Sequence, residues 1–173
     1  VAEMVRGIGG DAVNVAALLA GVRWITFDCY GTLIDWETGI LGAVRPILGR
    51  ASDSEILSAY AASEARHEAG AYRTYREVLA GVMEDLAERF DVVLGPGRRS
   101  AIADSLARWP AFEDTGPALR VLKAGFRLAV ISNIDNDLFA ATAPKLGVEL
   151  DALITAQEWR VYMPGRSNIR VAM

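Results

Sequence analysis

The chain carries two hydrophobic rhythms. Trp24-Ile25-Thr26-Phe27 is a short strand-like apolar run, and Phe126-Arg127-Leu128-Ala129-Val130-Ile131 is a longer one without alternation. A run of the second kind fits a parallel strand buried on both faces. Between them apolar residues recur at helical spacing. Ile40 to Leu48 is one such stretch. Ser52 and Glu55 have capping-box spacing and open a helix with Ile56, Leu57, Tyr60 and Ala61 on its apolar face. Thr74 and Glu77 repeat the spacing before Tyr75, Val78, Leu79, Val82, Met83, Leu86 and Phe90. Leu94-Gly95-Pro96-Gly97 reads as a loop, and Ser100 to Trp109 as a helix stopped by Pro110. Further on, Pro117 and Gly125 bracket a helix, Asp137 to Leu146 forms another that ends at Gly147, and Ala152-Leu153-Ile154-Thr155 is a third strand.

Strand–helix units therefore flank an all-helical block. The fold class expected is α/β: a parallel sheet core with a helical cap inserted after the first strand. The core is expected over 22–36 and 112–173, the cap over 37–111, and 1–21 as a flexible N-terminal extension. Gly7-Ile8-Gly9-Gly10-Asp11 is a superficial likeness of a phosphate loop, because no strand precedes it and the spacing is incomplete.

Composition narrows the partners. The chain has 173 residues, 52% hydrophobic and 23% charged, which reads as globular. A net charge of −4 argues against nucleic acid or an anionic membrane as partner. One cysteine and one histidine argue against a zinc site or disulfide framework, and fit a cytoplasmic location. No apolar run approaches the ~20 residues of a membrane span, and Val13 to Val22 is not read as a signal peptide. A start at Val1 and a stop at Val171-Ala172-Met173, inside a forming helix, read as the ends of a fragment or of a mis-called reading frame.

The candidate chemistry sits at strand ends, where open α/β sheets display their sites. Asp28 follows the first strand as a candidate covalent nucleophile. Thr32 is placed to hold its carboxylate. Ser132 and Asn133 end the second strand and offer a hydroxyl and amide donors to an anionic group. Cys29 reads as a buried small hydrophobe, His67 as part of a solvated charged face with Glu64 and Arg66, and Asp135 and Asp137 as caps of the following helix. Trp36 is a hinge or pocket wall, or plain packing.

Phe27-Asp28-Cys29-Tyr30-Gly31-Thr32-Leu33, then Leu128-Ala129-Val130-Ile131-Ser132-Asn133, then Ile154-Thr155-Ala156-Gln157-Glu158 with Tyr162-Met163-Pro164, resemble in order three motifs of the haloacid dehalogenase superfamily, and most closely its type II 2-haloacid dehalogenases. The resemblance implies a Rossmann-like core and hydrolysis of the carbon–halogen bond of a 2-haloalkanoic acid. In that scheme Asp28 attacks the carbon, halide leaves, and water cleaves the aspartyl ester. Asp28, Thr32, Ser132 and Asn133 would be catalytic, and Tyr30, Ser132 and Asn133 would bind the small organic acid. No cofactor or metal is implied, and a homodimer through the cap is a family-level expectation. Superfamily phosphatases carry a second Asp where Tyr30 stands. A phenol titrating near 10 is poorly matched to protonating an alkoxide, whereas halide needs no proton. Met163 stands where the family has lysine, so the nucleophile lacks its electrostatic partner. The fourth motif would lie beyond residue 173. The family's cap arginine has no clean match: Arg66 and Arg73 are in the region, but Ala61 is nearer the expected place. The alternatives are a magnesium-dependent phosphatase on the same fold and a non-catalytic remnant.

Overall fold

The computed structural model describes residues 4–6, 12–14, 19–49 and 51–163. Met4–Arg6 (β1) and Ala12–Asn14 (β2) pair antiparallel, with Val5 opposite Val13. The flexible extension expected over 1–21 thus contains a strand pair, and β1 precedes the glycine-rich run that was expected to have no strand before it. The connection, 7–11, lies outside the described residues.

The central sheet has three strands in the order Trp24–Phe27 (β3), Arg127–Ser132 (β4), Ala152–Thr155 (β5). Both pairings are parallel, with Phe27 beside Val130 and Ser132 beside Thr155. β4 is the middle strand, and Leu128 and Val130 are fully buried, as its unbroken apolar run predicts. The parallel α/β core with inserted helices is thus the architecture observed.

Trp36–Leu48 (α1) begins a turn earlier than hydrophobic spacing indicates. Asp35 caps it, accepting from the Thr38 N–H at 3.0 Å and the Thr38 hydroxyl at 2.6 Å. Asp53–Glu68 (α2) and Tyr75–Arg89 (α3) both start on the expected capping boxes, Ser52 with Glu55 and Thr74 with Glu77. The helix expected over 100–109 is broken instead. Ala101–Ser105 (α4) is flanked by 3₁₀ turns at Arg98–Ser100 and Leu106–Arg108. The Ser105 hydroxyl donates to the Ile102 carbonyl, a local bond that competes with helical pairing. Thr115–Lys123 (α5) leads into β4. Asn136–Thr142 (α6) gives way to a 3₁₀ turn, Ala143–Leu146, where Pro144 lacks the N–H that an α-helix would need. Ala156–Trp159 (α7) follows β5.

The chain leaves and re-enters the core at one place. The Asp35 N–H donates to the Pro110 carbonyl at 2.9 Å, and the Phe112 N–H to the Leu33 carbonyl at 3.2 Å. Helices α1–α4 lie between these two connections. A second tie joins them to the core. Asp135 was expected to cap α6, but its side chain makes no capping bond there. Its carboxylate instead accepts the N–H groups of Tyr75 at 2.9 Å and Arg76 at 3.0 Å, capping α3 from another part of the chain. The first amides of a helix have no partner within it, and Asp135, 2% exposed, supplies one. Asp137, in the first turn of α6, accepts the Arg76 guanidinium at 2.5 Å.

Candidate active site

Asp28 sits in a tight turn closed by the Leu33 and Ile34 N–H groups, both donating to the Cys29 carbonyl at 2.7 and 2.9 Å. Gly31 permits the turn: its φ is +97°, and a Cβ there would come within 3.2 Å of the Trp36 ring. The Thr32 hydroxyl donates to Asp28 Oδ2 at 3.4 Å. Asp28 keeps an accessible side, yet the protein crowded around it pushes its pKa up, opposed by the Cys29 N–H and the Thr32 hydroxyl. Cys29 is buried and its thiol is pushed up to about 12, foremost by that burial, so it is no nucleophile at neutral pH.

Tyr30, Ser132, Asn133 and Met163 join Asp28 around one cavity of about 220 Å³; Thr32 supports Asp28 from outside its lining. The Tyr30 hydroxyl is bonded to Thr142 Oγ1 at 2.9 Å, and burial raises its pKa further. It therefore offers the cavity its ring. That ring meets Trp109 edge-on, at 5.7 Å and 86°. Ser132 is buried at the end of β4. The Asn133 amide, expected to face an anion, is otherwise engaged. Its Oδ1 accepts the Met163 N–H at 2.7 Å, and its Nδ2 lies 3.4 Å from both the Met163 carbonyl and Glu68 Oε2. Asn133 thus clamps the backbone of residue 163, and Met163 lines the cavity where a lysine was expected.

On the helical side of the cavity, Trp36 and Ala61 stand where a pocket wall and the cap position are expected, while the polar groups there are not predicted. Tyr60, Ala61, Glu64 and Glu68 come from α2 and Tyr75 from α3, with Trp36 and Trp109 as further walls. Glu64 Oε1 accepts both tyrosine hydroxyls, from Tyr60 at 2.8 Å and Tyr75 at 2.5 Å. Burial raises the Glu64 pKa. Glu68 is pushed up to about 7, first by burial and then by the charge of Glu64. Tyr60, Glu64 and Glu68 follow each other at intervals of four, so one helix face carries all three. That spacing was the available signal. It was masked by the neighbouring charges of Arg66 and His67, which read as a solvated face.

His67 itself is half-buried, and this corrects the solvated reading. Its Nε2 lies 3.0 Å from Asp85 Oδ2, which also accepts from Ser63 and from Arg66 at 2.8 Å. The ring packs against Gly81, where α2 and α3 approach. Arg66 is therefore engaged on α3. Neither it nor Arg73 lines the cavity, whereas Ala61 does. Among the described residues no group of three or more His, Cys, Asp or Glu side chains is placed to hold a metal ion, and no helix is long and apolar enough to cross a membrane.

The raised Glu68 has a consequence for stability. Its ordinary value is 4.5 and its folded value about 7, so the folded chain retains a proton that the unfolded chain releases. Its stabilising contribution is complete below pH 4.5 and is lost as pH rises through about 7. Glu68→Gln removes this slope. Urea midpoints of the two proteins should therefore shift in the variant's favour across that window. A constant difference would show that Glu68 titrates normally.

The family model for haloacid dehalogenase-like hydrolases matches residues 22–160, from the strand before Asp28 to the end of α7. The chain belongs to that family. As a haloacid dehalogenase-like hydrolase it is 28% identical over 149 residues to (S)-2-haloacid dehalogenase 1 of Pseudomonas sp. (strain CBS-3), covering 83% of this chain and 66% of that protein. Its fold is that of L-2-haloacid dehalogenase from Xanthobacter autotrophicus, solved with chloropropionic acid covalently bound: the TM-score is 0.72 at 21% identity, over 87% of this chain and 63% of that one. The HAD-hydrolase YfnB from Bacillus subtilis, solved with magnesium, shares the fold with a TM-score of 0.73 at 13% identity, over 87% and 72% of the two chains. This haloacid dehalogenase-like hydrolase thus spans somewhat less than two thirds of the Pseudomonas and Xanthobacter proteins.

Proposed function

We propose that this chain performs hydrolytic dehalogenation of a small haloalkanoic acid. Asp28 attacks the carbon bearing the halogen, halide departs with the bonding pair, and water cleaves the resulting aspartyl ester. Asp28 and Thr32 form the nucleophilic unit. Ser132 receives the substrate, Tyr30 packs beside it through its ring, and Asn133 positions residue 163. The observation that carries this reading is the Tyr30 hydroxyl. It is hydrogen-bonded with Thr142 Oγ1 at 2.9 Å and burial pushes its pKa up, so the position that would protonate an alkoxide is a poor acid. Halide, a weak base, leaves without one. The 2-haloacid dehalogenases among the relatives support the same chemistry.

A 2-chloroalkanoate incubated with the chain should release chloride, and Asp28→Asn should abolish the release, because the amide cannot form the ester. Release that survives Asp28→Asn overturns the assignment. Glu68 gives one reason to test a second reading. Its pKa is pushed up to about 7 by burial and it lines the same cavity, where its acid form would donate to an alkoxide leaving group. Phosphate release from small phosphoesters, stimulated by magnesium and lost in Glu68→Gln, would favour a phosphatase. A folded protein with neither activity, even when Met163 is changed to lysine, would be a non-catalytic member of the family.

A further inference from the structure

The cavity's two ends differ in kind. At the core end Asp28 and Ser132 face the reacting centre. At the other end stand two carboxylates, Glu64 and Glu68, among aromatic rings, and no Lys, Arg or His side chain is among the described residues that line the space. Both tyrosine hydroxyls converge on Glu64 Oε1, while Oε2 receives no hydrogen bond among the described residues. Among the described residues Glu68 has the long contact from Asn133 at 3.4 Å. Trp36 and Tyr60 stack at 5.6 Å and 33°, making an aromatic wall beside these carboxylates. Aromatic faces and carboxylates each attract a desolvated cation. An anion would meet repulsion from both glutamates. Two basic side chains of the helices are paired elsewhere, Arg66 with Asp85 and Arg76 with Asp137.

We propose that the helical end of this cavity is a subsite for an organic cation, formed by Glu64, Glu68 and the rings of Trp36, Tyr60 and Tyr75, so that the substrate carries a positively charged amine beside its reacting carbon. The subsite stands on the cavity itself. The statement about substrate rests on the hydrolytic reading above. Under that reading the preferred substrate is an amino-substituted haloalkanoic acid, whose ammonium supplies the positive charge that Met163 does not.

The test is equilibrium binding to the chain, read by the fluorescence of Trp36 and Trp109 and by calorimetry. Choline, its uncharged isostere 3,3-dimethylbutan-1-ol, and propionate are the probes, at a pH above the Glu68 midpoint of about 7. Choline should bind at least about tenfold more tightly than the isostere, with propionate weakest. Glu68→Gln should erase most of that advantage while leaving the isostere's affinity unchanged, which separates lost charge from lost folding. Equal binding of choline and the isostere, or a preference that survives both Glu68→Gln and Glu64→Gln in folded protein, overturns the subsite. Halide release from 4-ammonio-2-chlorobutanoate should exceed that from 2-chlorobutanoate. A cation preference in binding with no halide release from either sinks the dehalogenase reading and leaves the subsite standing. Halide release without a cation preference does the reverse.

Discussion

Replacing Met163 by lysine should raise halide release from 2-chloropropionate by about two orders of magnitude. The argument begins with the backbone. Asn133 holds the peptide of residue 163 from both sides, by Oδ1 on its N–H and Nδ2 toward its carbonyl, so the new side chain should start from the same place. It would enter a cavity already containing Asp28, Glu64 and Glu68. A thioether offers these groups only weak polar contacts. Burial raises the Asp28 pKa, opposed by the Cys29 N–H and a distant Thr32 hydroxyl. An ammonium would favour ionised Asp28 and offset the charge of an approaching carboxylate substrate. The acid limb of the pH–rate profile should therefore move to lower pH in the variant. The same change should weaken the cavity's attraction for choline, since the new charge opposes a cation. Glu68 would compete for the lysine, so adding Glu68→Gln should raise the rate further. An unchanged rate and an unmoved acid limb, in a variant shown to be folded, would mean that electrostatic support of Asp28 is not what limits turnover.

The second large effect is expected at Gly39, where Ala should cost about 1–3 kcal/mol of stability. Gly39 is buried on α1 against the face of Trp109, and a Cβ there would lie 2.3 Å from the indole Cγ. The indole has little freedom to yield. It is 2% exposed, its Nε1–H donates to Ser105 Oγ at 2.7 Å, and Tyr30 stands edge-on to it. Overpacking would thus be transmitted to a wall of the active-site cavity, and activity should fall along with stability. Gly42 is the control. It lies on the same helix with nothing within 4 Å of a Cβ, so Gly42→Ala should be neutral or stabilising by about 0.5–1 kcal/mol. Urea unfolding followed by tryptophan fluorescence distinguishes them. Equal behaviour of the two variants would mean that α1 shifts to accommodate the methyl group at no cost.

Legibility along the chain followed the range of the interactions involved. Both capping boxes formed because each needs only residues three apart. The β4 strand announced itself because burial on both faces removes alternation. The helix expected over 100–109 was misread because one serine hydroxyl diverts a carbonyl, which periodicity does not register. Asp135 was correctly recognised as a cap but assigned to the wrong helix. A carboxylate beside a helix start is visible in sequence, while an orphan N–H pair sixty residues earlier is not.

The candidate site divides in the same way. Sequence alone marked its candidate nucleophile, the phenol in place of a second acid, and the methionine in place of a lysine. These are identities within contiguous motifs at strand ends, where a parallel sheet brings chemistry together by its topology. Only the tertiary structure decided what faces them. Asn133 turns to residue 163 and Tyr30 to Thr142, and the α2 face carrying Glu64 and Glu68 closes over the cavity. Each of those outcomes depends on which helix lies across from which strand, and long-range packing sets that, not local spacing.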